Sequence, residues 1–195
     1  MKKSLLAVLL AVAIVAPVFA ADEGTMDLDI KIGANLMSKV DIDKMDDTND
    51  VDPAFTATVD YFYYVMPQFA IGAGAEYIFN AEVKDTGGAK IGFVNLYAQA
   101  KYVFETGNDI FNNIYPLIQI GYGIVSLDNV NEFEVDSNGL YWGIGVGTTI
   151  KECYMFEILY SMNNASFKGK GEIAGITSDV KYSTLQLKVG YKFSF

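Results

Sequence analysis

Apolar residues alternate strictly with polar or small ones over the last positions of the chain, residues 185–195. Successive side chains of a β-strand point to opposite faces, so the pattern predicts a strand with one apolar face that runs to the final residue. An exposed edge of such a strand invites pairing with other chains, and soluble domains rarely leave one open. We therefore expect this last strand to be covered at its edges.

The N-terminus has the pattern of a secretory signal peptide. Two lysines precede an apolar run over residues 5–15, and a small-residue cleavage site ends at Ala20. We predict that residues 1–20 are removed as a signal peptide and that residues 21–195 form one exported domain. The apolar run is shorter than the roughly 20 residues that a spanning helix needs.

Eight segments of the remaining chain repeat the alternation, each bounded by turn or loop residues. They lie at about residues 26–40, 53–65, 69–83, 91–104, 114–127, 139–150, 153–163 and 182–195. A tilted transmembrane strand needs about 9–11 residues, and about eight strands make the smallest transmembrane barrel. The pattern predicts an all-β fold, an eight-stranded antiparallel up-and-down transmembrane β-barrel that closes on itself.

Charge indicates which face of each strand points inward. A soluble barrel buries its apolar face, whereas a membrane barrel encloses its charges because lipid disfavours them. One face of each predicted strand is nearly free of charge and carries aromatic residues near both ends, as expected of two interfacial girdles. The girdle near the short turns would hold Tyr63, Phe104, Phe156, Phe193 and Phe195, and the other would hold Phe55, Phe79, Tyr122, Trp142 and Tyr160.

The connections between predicted strands differ in length on the two sides. Those at residues 41–52, 84–90, 128–138 and 164–181 are mostly long, and the intervening three are shorter. In bacterial barrels the long loops are extracellular and the short turns periplasmic. We therefore expect both termini to face the periplasm.

The enclosed face carries nearly balanced charge. Its members are Asp60, Glu76, Lys101, Glu157, Lys188 and Lys192, together with Asp27, Asp29 and Lys31. An eight-stranded barrel is only wide enough for its own side chains, and buried charges are usually paired. We predict a structural salt-bridge network in which Glu157 pairs with Lys188 or Lys192 from a neighbouring strand. An ion-conducting or gated path through these residues is the alternative.

The first long loop is the most acidic stretch of the chain. It contains Asp41, Asp43, Asp46, Asp47, Asp50 and Asp52. Closely spaced carboxylates suit Ca²⁺, but the glycine and terminal glutamate of an EF-hand loop are missing. Two interpretations stay open, a solvated acidic loop and a weak Ca²⁺ site, and in either case we expect the outer rim to attract divalent cations or a basic surface ligand.

The chain has no histidine. Ser–His–Asp and Cys–His centres therefore lack their base, and zinc sites lack their commonest non-thiolate ligand. We expect a non-enzymatic protein without a cofactor. The 24 acidic against 14 basic residues argue against nucleic-acid binding. The lone Cys153 cannot form an internal disulfide and is interpreted as a small apolar side chain.

The chain resembles a known family at its C-terminus and in its overall pattern. Lys188, Gly190, Phe193 and terminal Phe195 have the spacing of the assembly signal of outer-membrane β-barrel proteins. Together with the signal peptide and the eight alternations, they make residues 21–195 similar to the small barrels of the OmpX, OmpA membrane-domain, opacity-protein and OmpW-like kind.

The resemblance implies an integral protein of the outer membrane, surrounded by its lipid and inserted by the barrel-assembly machinery. It also implies a structural, surface-interaction or adhesive role. A narrow OmpW-like channel for small solutes is the second function that the resemblance supports. A third class, a soluble periplasmic barrel that binds a lipophile, would need its charges outside.

Overall fold

The computed structural model describes residues 24–42, 48–84, 88–108, 110–128, 133–169 and 177–195. These residues form ten β-strands. They are β1 (Met26–Ile42), β2 (Thr48–Val51), β3 (Ala54–Met66), β4 (Phe69–Glu82), β5 (Lys90–Tyr102), β6 (Phe104–Glu105), β7 (Phe111–Asp128), β8 (Phe133–Ile150), β9 (Tyr154–Gly169) and β10 (Thr177–Ser194). No helix in this part of the chain is long and apolar enough to cross a membrane.

The eight long strands form a closed antiparallel ring. Each pairs with the next long strand in sequence, and β10 closes the ring on β1, from Ser194 opposite Asp27 to Val180 opposite Ile42. Closure pairs both edges of the last strand, so that no edge of it is left for another chain. The predicted eight-stranded antiparallel up-and-down barrel is confirmed.

The strands extend further at one end of the barrel than predicted. β8 begins at Phe133, β9 ends at Gly169 and β10 begins at Thr177. The predicted connections at residues 128–138 and 164–181 are therefore wrong over most of their length. In these extensions the apolar side chains lie on the inner face and the polar ones on the outer face, the reverse of the rest of each strand.

Two short strands complete the wall. β2 pairs with the part of β1 that lies past the first residue of β3, Ala54. Its Val51 forms a bridge to Val83, just after β4, so β2 continues the wall where β3 is absent. β6 continues the line of β5 and pairs with β7. The predicted fourth strand at residues 91–104 is thus divided at Val103.

We call the end of the barrel that holds Met26 and Phe195 the terminal end and the opposite end the loop end. At the terminal end, the N–H of Met26 donates to the carbonyl of Phe195 at 3.1 Å, and the N–H of Phe195 donates back at 2.9 Å. The turn at Pro67 and Gln68 also lies there, as does the turn at residues 151–153. The loop end carries the longer connections.

The two faces of the wall exchange character between the terminal end and the loop end. Along most of the barrel the outer face is apolar, with Ile30, Ile32, Ile118, Ile120 and Ile144 each 48–65% exposed. At the loop end the outer face carries exposed Lys39, Asp41, Asp128, Lys168, Asp179 and Lys181. Behind them the inner face is apolar, because Val40, Phe93, Val125, Val180 and Tyr182 form a buried cluster. We call this charged loop-end part of the wall the collar.

A β-bulge makes this exchange in β1. The register with β10 shifts between Asn35 and Met37, and Leu36 and Met37 are both exposed, at 48% and 70%. An extra residue in a strand reverses which face the following side chains occupy. Even-numbered apolar residues therefore point outward up to Leu36 and inward from Val40, and the adjacent apolar residues Leu36 and Met37 mark the shift in the sequence. β4 has a similar shift between Ile78 and Ala81.

Candidate functional site

Large side chains fill the interior of the barrel, and glycines on the same wall make room for them. Tyr97 lies across the lumen, and a Cβ at Gly74 or Gly121 would overlap it. A Cβ at Gly147 would likewise overlap the ring of Tyr115. The small residues thus allow tyrosines to reach the centre of the barrel, where their hydroxyl groups meet charged side chains.

Lys31 is the centre of the enclosed charges. Its Nζ lies 2.6 Å from Asp60 Oδ2 and 2.7 Å from Glu157 Oε2, and all three side chains are at most 2% exposed. Tyr97 donates its hydroxyl to Asp60 at 2.9 Å, and Tyr115 donates to Glu157 at 2.9 Å. One ammonium therefore links β1, β3 and β9 through the middle of the barrel.

A second ion pair joins Lys188 of β10 to Glu76 of β4. Neutral side chains complete the surroundings of this carboxylate. The amides of Asn95 and Gln186 donate to Glu76 Oε1 at 3.1 Å and 3.2 Å, and the hydroxyl of Thr58 donates to Oε2 at 3.4 Å. Charge-assisted hydrogen bonds of this kind compensate a buried carboxylate for its lost hydration.

Asp27 holds the charges nearest the terminal end. It accepts hydrogen bonds from Tyr64 at 2.9 Å and Ser194 at 2.7 Å, and Lys101 lies 3.5 Å away. Lys192, whose side chain is 17% exposed, approaches it at 4.0 Å. A cleft of about 140 Å³ beside these groups is the polar mouth of the barrel.

An apolar cluster covers the charges toward the loop end. This cluster behind the collar closes the loop end, and its Phe93 and Tyr182 rings have centroids 4.9 Å apart. A second buried cluster of Tyr115, Leu117, Met155 and Leu159 lies among the charges, since Tyr115 donates to Glu157 and Leu117 lies opposite Lys101. The described interior is therefore closed by apolar side chains at the loop end and carries charged side chains down to the polar mouth at the terminal end.

All of the predicted interior charges lie on the inner face. Lys192 lies at the mouth, and the others are buried: Asp27, Asp29, Lys31, Asp60, Glu76, Lys101, Glu157 and Lys188. The predicted partners of Glu157 are wrong, because it bonds Lys31 rather than Lys188 or Lys192. Backbone register places Lys188 opposite Glu157, but the long lysine side chains reach across the lumen to other strands.

Only part of the acidic first loop can be placed. Asp41 and Asp50 are exposed, Asp52 is half-buried, and Asp43, Asp46 and Asp47 lie outside the described residues. Lys84 lies 3.9 Å from Asp52. Within the described ranges, no three side chains of Asp, Glu, Cys or His are grouped so as to hold a metal ion.

The residues of the predicted assembly signal all belong to the closing strand or its end. Lys188 points inward, and Gly190 lies opposite Lys31, where a Cβ would meet the lysine side chain. Phe193 and Phe195 are 42% and 76% exposed on the outer face.

Comparison with known proteins gives a family match over nearly the whole chain. The model of the outer membrane protein β-barrel domain matches residues 4–193. No curated protein matches the chain.

Solved structures with the same fold cover most of the chain at low identity. Neisserial surface protein A has a TM-score of 0.55 at 14% identity, covering 88% of this chain and all of that one. OprG, an outer membrane protein of Pseudomonas aeruginosa, gives 0.53 at 13%, covering 90% and 98%. The outer membrane protein AlkL, determined in lipid bilayers, gives 0.57 at 11%, covering 90% and 92%.

Proposed function

We propose that this chain, which belongs to the outer membrane protein β-barrel domain family, has a non-enzymatic structural or surface-interaction role. Its loop end would lie outside the cell. The observation that carries this proposal is the filled interior. Paired, buried charges fill the lumen beneath an apolar cluster that closes the loop end, which leaves the collar and its loops as the part of the molecule that meets other molecules. One structural relative is itself described as a surface protein.

The route to the membrane forms part of the same proposal. Residues 1–20 would direct export and be removed, and the barrel-assembly machinery would engage the closing strand at its C-terminus. The exposed aromatic rings of Phe193 and Phe195 support this assignment. Outer-membrane lipid would then surround the apolar band, and the acidic first loop, of which Asp41 and Asp50 are exposed, would be left to attract cations or basic ligands.

Labelling of single cysteines tests this orientation. In a Cys153→Ser background, Lys181→Cys on the collar is expected to react with a membrane-impermeant maleimide in intact cells. Glu152→Cys, in the turn at the terminal end, is expected to react only after the outer membrane is permeabilised. Labelling of Glu152→Cys but not Lys181→Cys in intact cells would contradict the proposed orientation.

A narrow channel for small solutes is the second candidate. It is favoured by the continuous row of charged side chains that leads from the polar mouth at Asp27 through Lys101 and Lys31 to Glu76. Such a row could pass ions if the apolar cluster at the loop end opened. The structural role requires this cluster to stay closed.

Planar-bilayer recording separates the two functions. The purified wild-type barrel is expected to give no steady single-channel steps, because apolar side chains close the lumen at the loop end and exclude hydrated ions, and paired side chains fill the interior below them. The same preparation should show heat-modifiable gel migration, which establishes that the barrel is folded. Steady steps from folded protein would favour the channel.

A further inference from the structure

A groove crosses the outer face of the barrel over β5, β7 and β8, between two rows of side chains. Each row consists of residues that lie directly opposite one another on these neighbouring strands. One row holds Ala98, Ile120 and Trp142, and the other holds Ala100, Ile118 and Ile144. We call the space between the two rows the wall groove.

The wall groove has the size of a site for one small ligand. Its volume is about 530 Å³, within the roughly 300–1,000 Å³ of pockets that bind such ligands. The backbone of Gln99 and Gln119 forms its floor, because these two side chains are buried inside the barrel. Ile118, Ile120 and Ile144 are 55–62% exposed beside it, and none of the residues that line it is charged.

The wall groove is continuous with the apolar band that faces lipid. The chain belongs to a family of outer membrane barrels, so hydrocarbon surrounds this part of the wall. Side chains beside a gap lose dispersion contacts, and in hydrocarbon such contacts drive association because lipid tails are as apolar as the protein surface. A lipid chain in the groove contacts both rows and the floor, whereas one on a flat part of the wall contacts a single surface. The position of the groove therefore favours an acyl chain as its occupant.

The wall groove is inclined, and its Trp142 end lies nearer the loop end. Strand pairing shows the inclination, because a row followed around the barrel returns to the N-terminal strand at a lower level. The row that starts at Asn35 passes through Gln186, Leu159, Gly145, Leu117, Lys101, Ala70 and Tyr64 and returns at Thr25. A row that runs from β8 through β7 to β5 therefore descends toward the terminal end.

Trp142 gives the upper end of the groove a polar group. Its ring centroid lies 5.8 Å from that of Tyr160 on β9. Trp and Tyr side chains of membrane proteins lie at the level of the lipid headgroups, and the indole N–H is a hydrogen-bond donor. The carbonyl group that joins an acyl chain to its headgroup is a matching acceptor at that level.

We propose that the wall groove binds one acyl chain of a membrane lipid from the leaflet on the loop-end side. The carbonyl of this chain lies beside Trp142, and the chain descends between the two rows to Ala98 and Ala100. This inference rests on the proposed function only in requiring lipid around the apolar band. Failure of lipid binding by the purified barrel, with successful surface labelling of Lys181→Cys, would remove the lipid site and leave the surface role standing.

Fluorescence of Trp142 tests the proposal, because this residue is the only tryptophan of the chain. The full chain is refolded in micelles of a short-chain detergent and titrated with phosphatidylcholine that carries two bromine atoms on one acyl chain. Bromine quenches tryptophan on contact. Quenching is expected to saturate at one lipid per barrel. Quenching that rises in proportion to the mole fraction of lipid in the micelle would overturn the proposal.

Filling the wall groove distinguishes a bound chain from lipid that surrounds the whole barrel. Ala100→Phe places a ring between the two rows and is expected to weaken lipid binding at least about tenfold. Ala98→Phe fills the groove from the other row and should have a similar effect. Ala57→Phe, at an exposed position of β3 outside the groove, is the matched control and should bind as the wild type does. Heat-modifiable gel migration identifies the variants that fold, and equal lipid binding by a folded groove variant and the control would contradict the site.

A second copy of the chain is the other occupant that such a groove could accept. Native mass spectrometry of the wild-type barrel is expected to show a monomer that retains one lipid. A wild-type dimer that Ala100→Phe dissociates and Ala57→Phe does not would assign the groove to a contact between barrels and overturn the lipid site.

Discussion

Replacement of Lys31 by methionine is expected to lower the free energy of unfolding by about 3–5 kcal/mol. The variant leaves Asp60 and Glu157 without their shared ammonium, in a layer where both are at most 2% exposed. Removing one partner of a buried ion pair leaves an uncompensated charge, which costs far more than the intact pair contributes. Urea unfolding in lipid vesicles, followed by loss of heat-modifiable migration, measures the change.

Lys192→Met is the matched control for Lys31→Met. Lys192 lies at the mouth, partly exposed and 4.0 Å from Asp27, so its loss should change stability by no more than about 1 kcal/mol. Adding Asp60→Asn and Glu157→Gln to Lys31→Met should restore much of the lost stability, since no unpaired charge remains. Equal effects of the two lysine variants would show that Lys31 does not hold the barrel together.

Ile120→Lys should lower the free energy of unfolding by about 2–4 kcal/mol, because it places a charge near the middle of the lipid-facing band. Ile120 is 62% exposed on the outer face of β7. Ser126→Lys on the same face of the same strand, beyond the point where the wall changes character, should cost no more than about 1 kcal/mol. Similar losses at both positions would contradict the position of the band.

The ring of strands could be predicted because its signal is repeated. Alternation with a period of two predicts strands, and the charge on one face of each predicts a membrane barrel. Residues such as Ile118 and Ile120 carry this signal clearly, and both are exposed on the outer face. Sequence patterning was therefore sufficient for the fold along most of the barrel.

The exchange of faces at the loop end was missed although the sequence marks it. In β1 Leu36 and Met37 are adjacent apolar residues, and the register shift beside them turns Val40 inward. In β5 Phe93 and Val94 are also adjacent apolar residues, with Phe93 buried. Such adjacent pairs are the feature by which the collar could have been found.

The composition of the charged layer could be predicted, but its pairing could not. Inward positions follow from alternation, which identifies Glu157 and Lys188 as interior residues. Which ammonium reaches which carboxylate depends on the stagger of the strands and on side chains that cross the lumen. Lys31 reaches Glu157 from β1 in this way, and the tyrosines that donate to its two carboxylate partners carry no charge to reveal them.

The bulge at Met37 makes the direction of the following side chains depend on local backbone geometry. A regular strand through the same residues would turn Val40 toward water and Lys39 and Asp41 toward the barrel axis. Deletion of one residue there would instead remove the bulge and keep Val40 inside, because Leu36 and Ser38 would then alternate as in a regular strand. A shortened β1 is therefore compatible with both faces of the wall, whereas an unbulged strand of the present length is not.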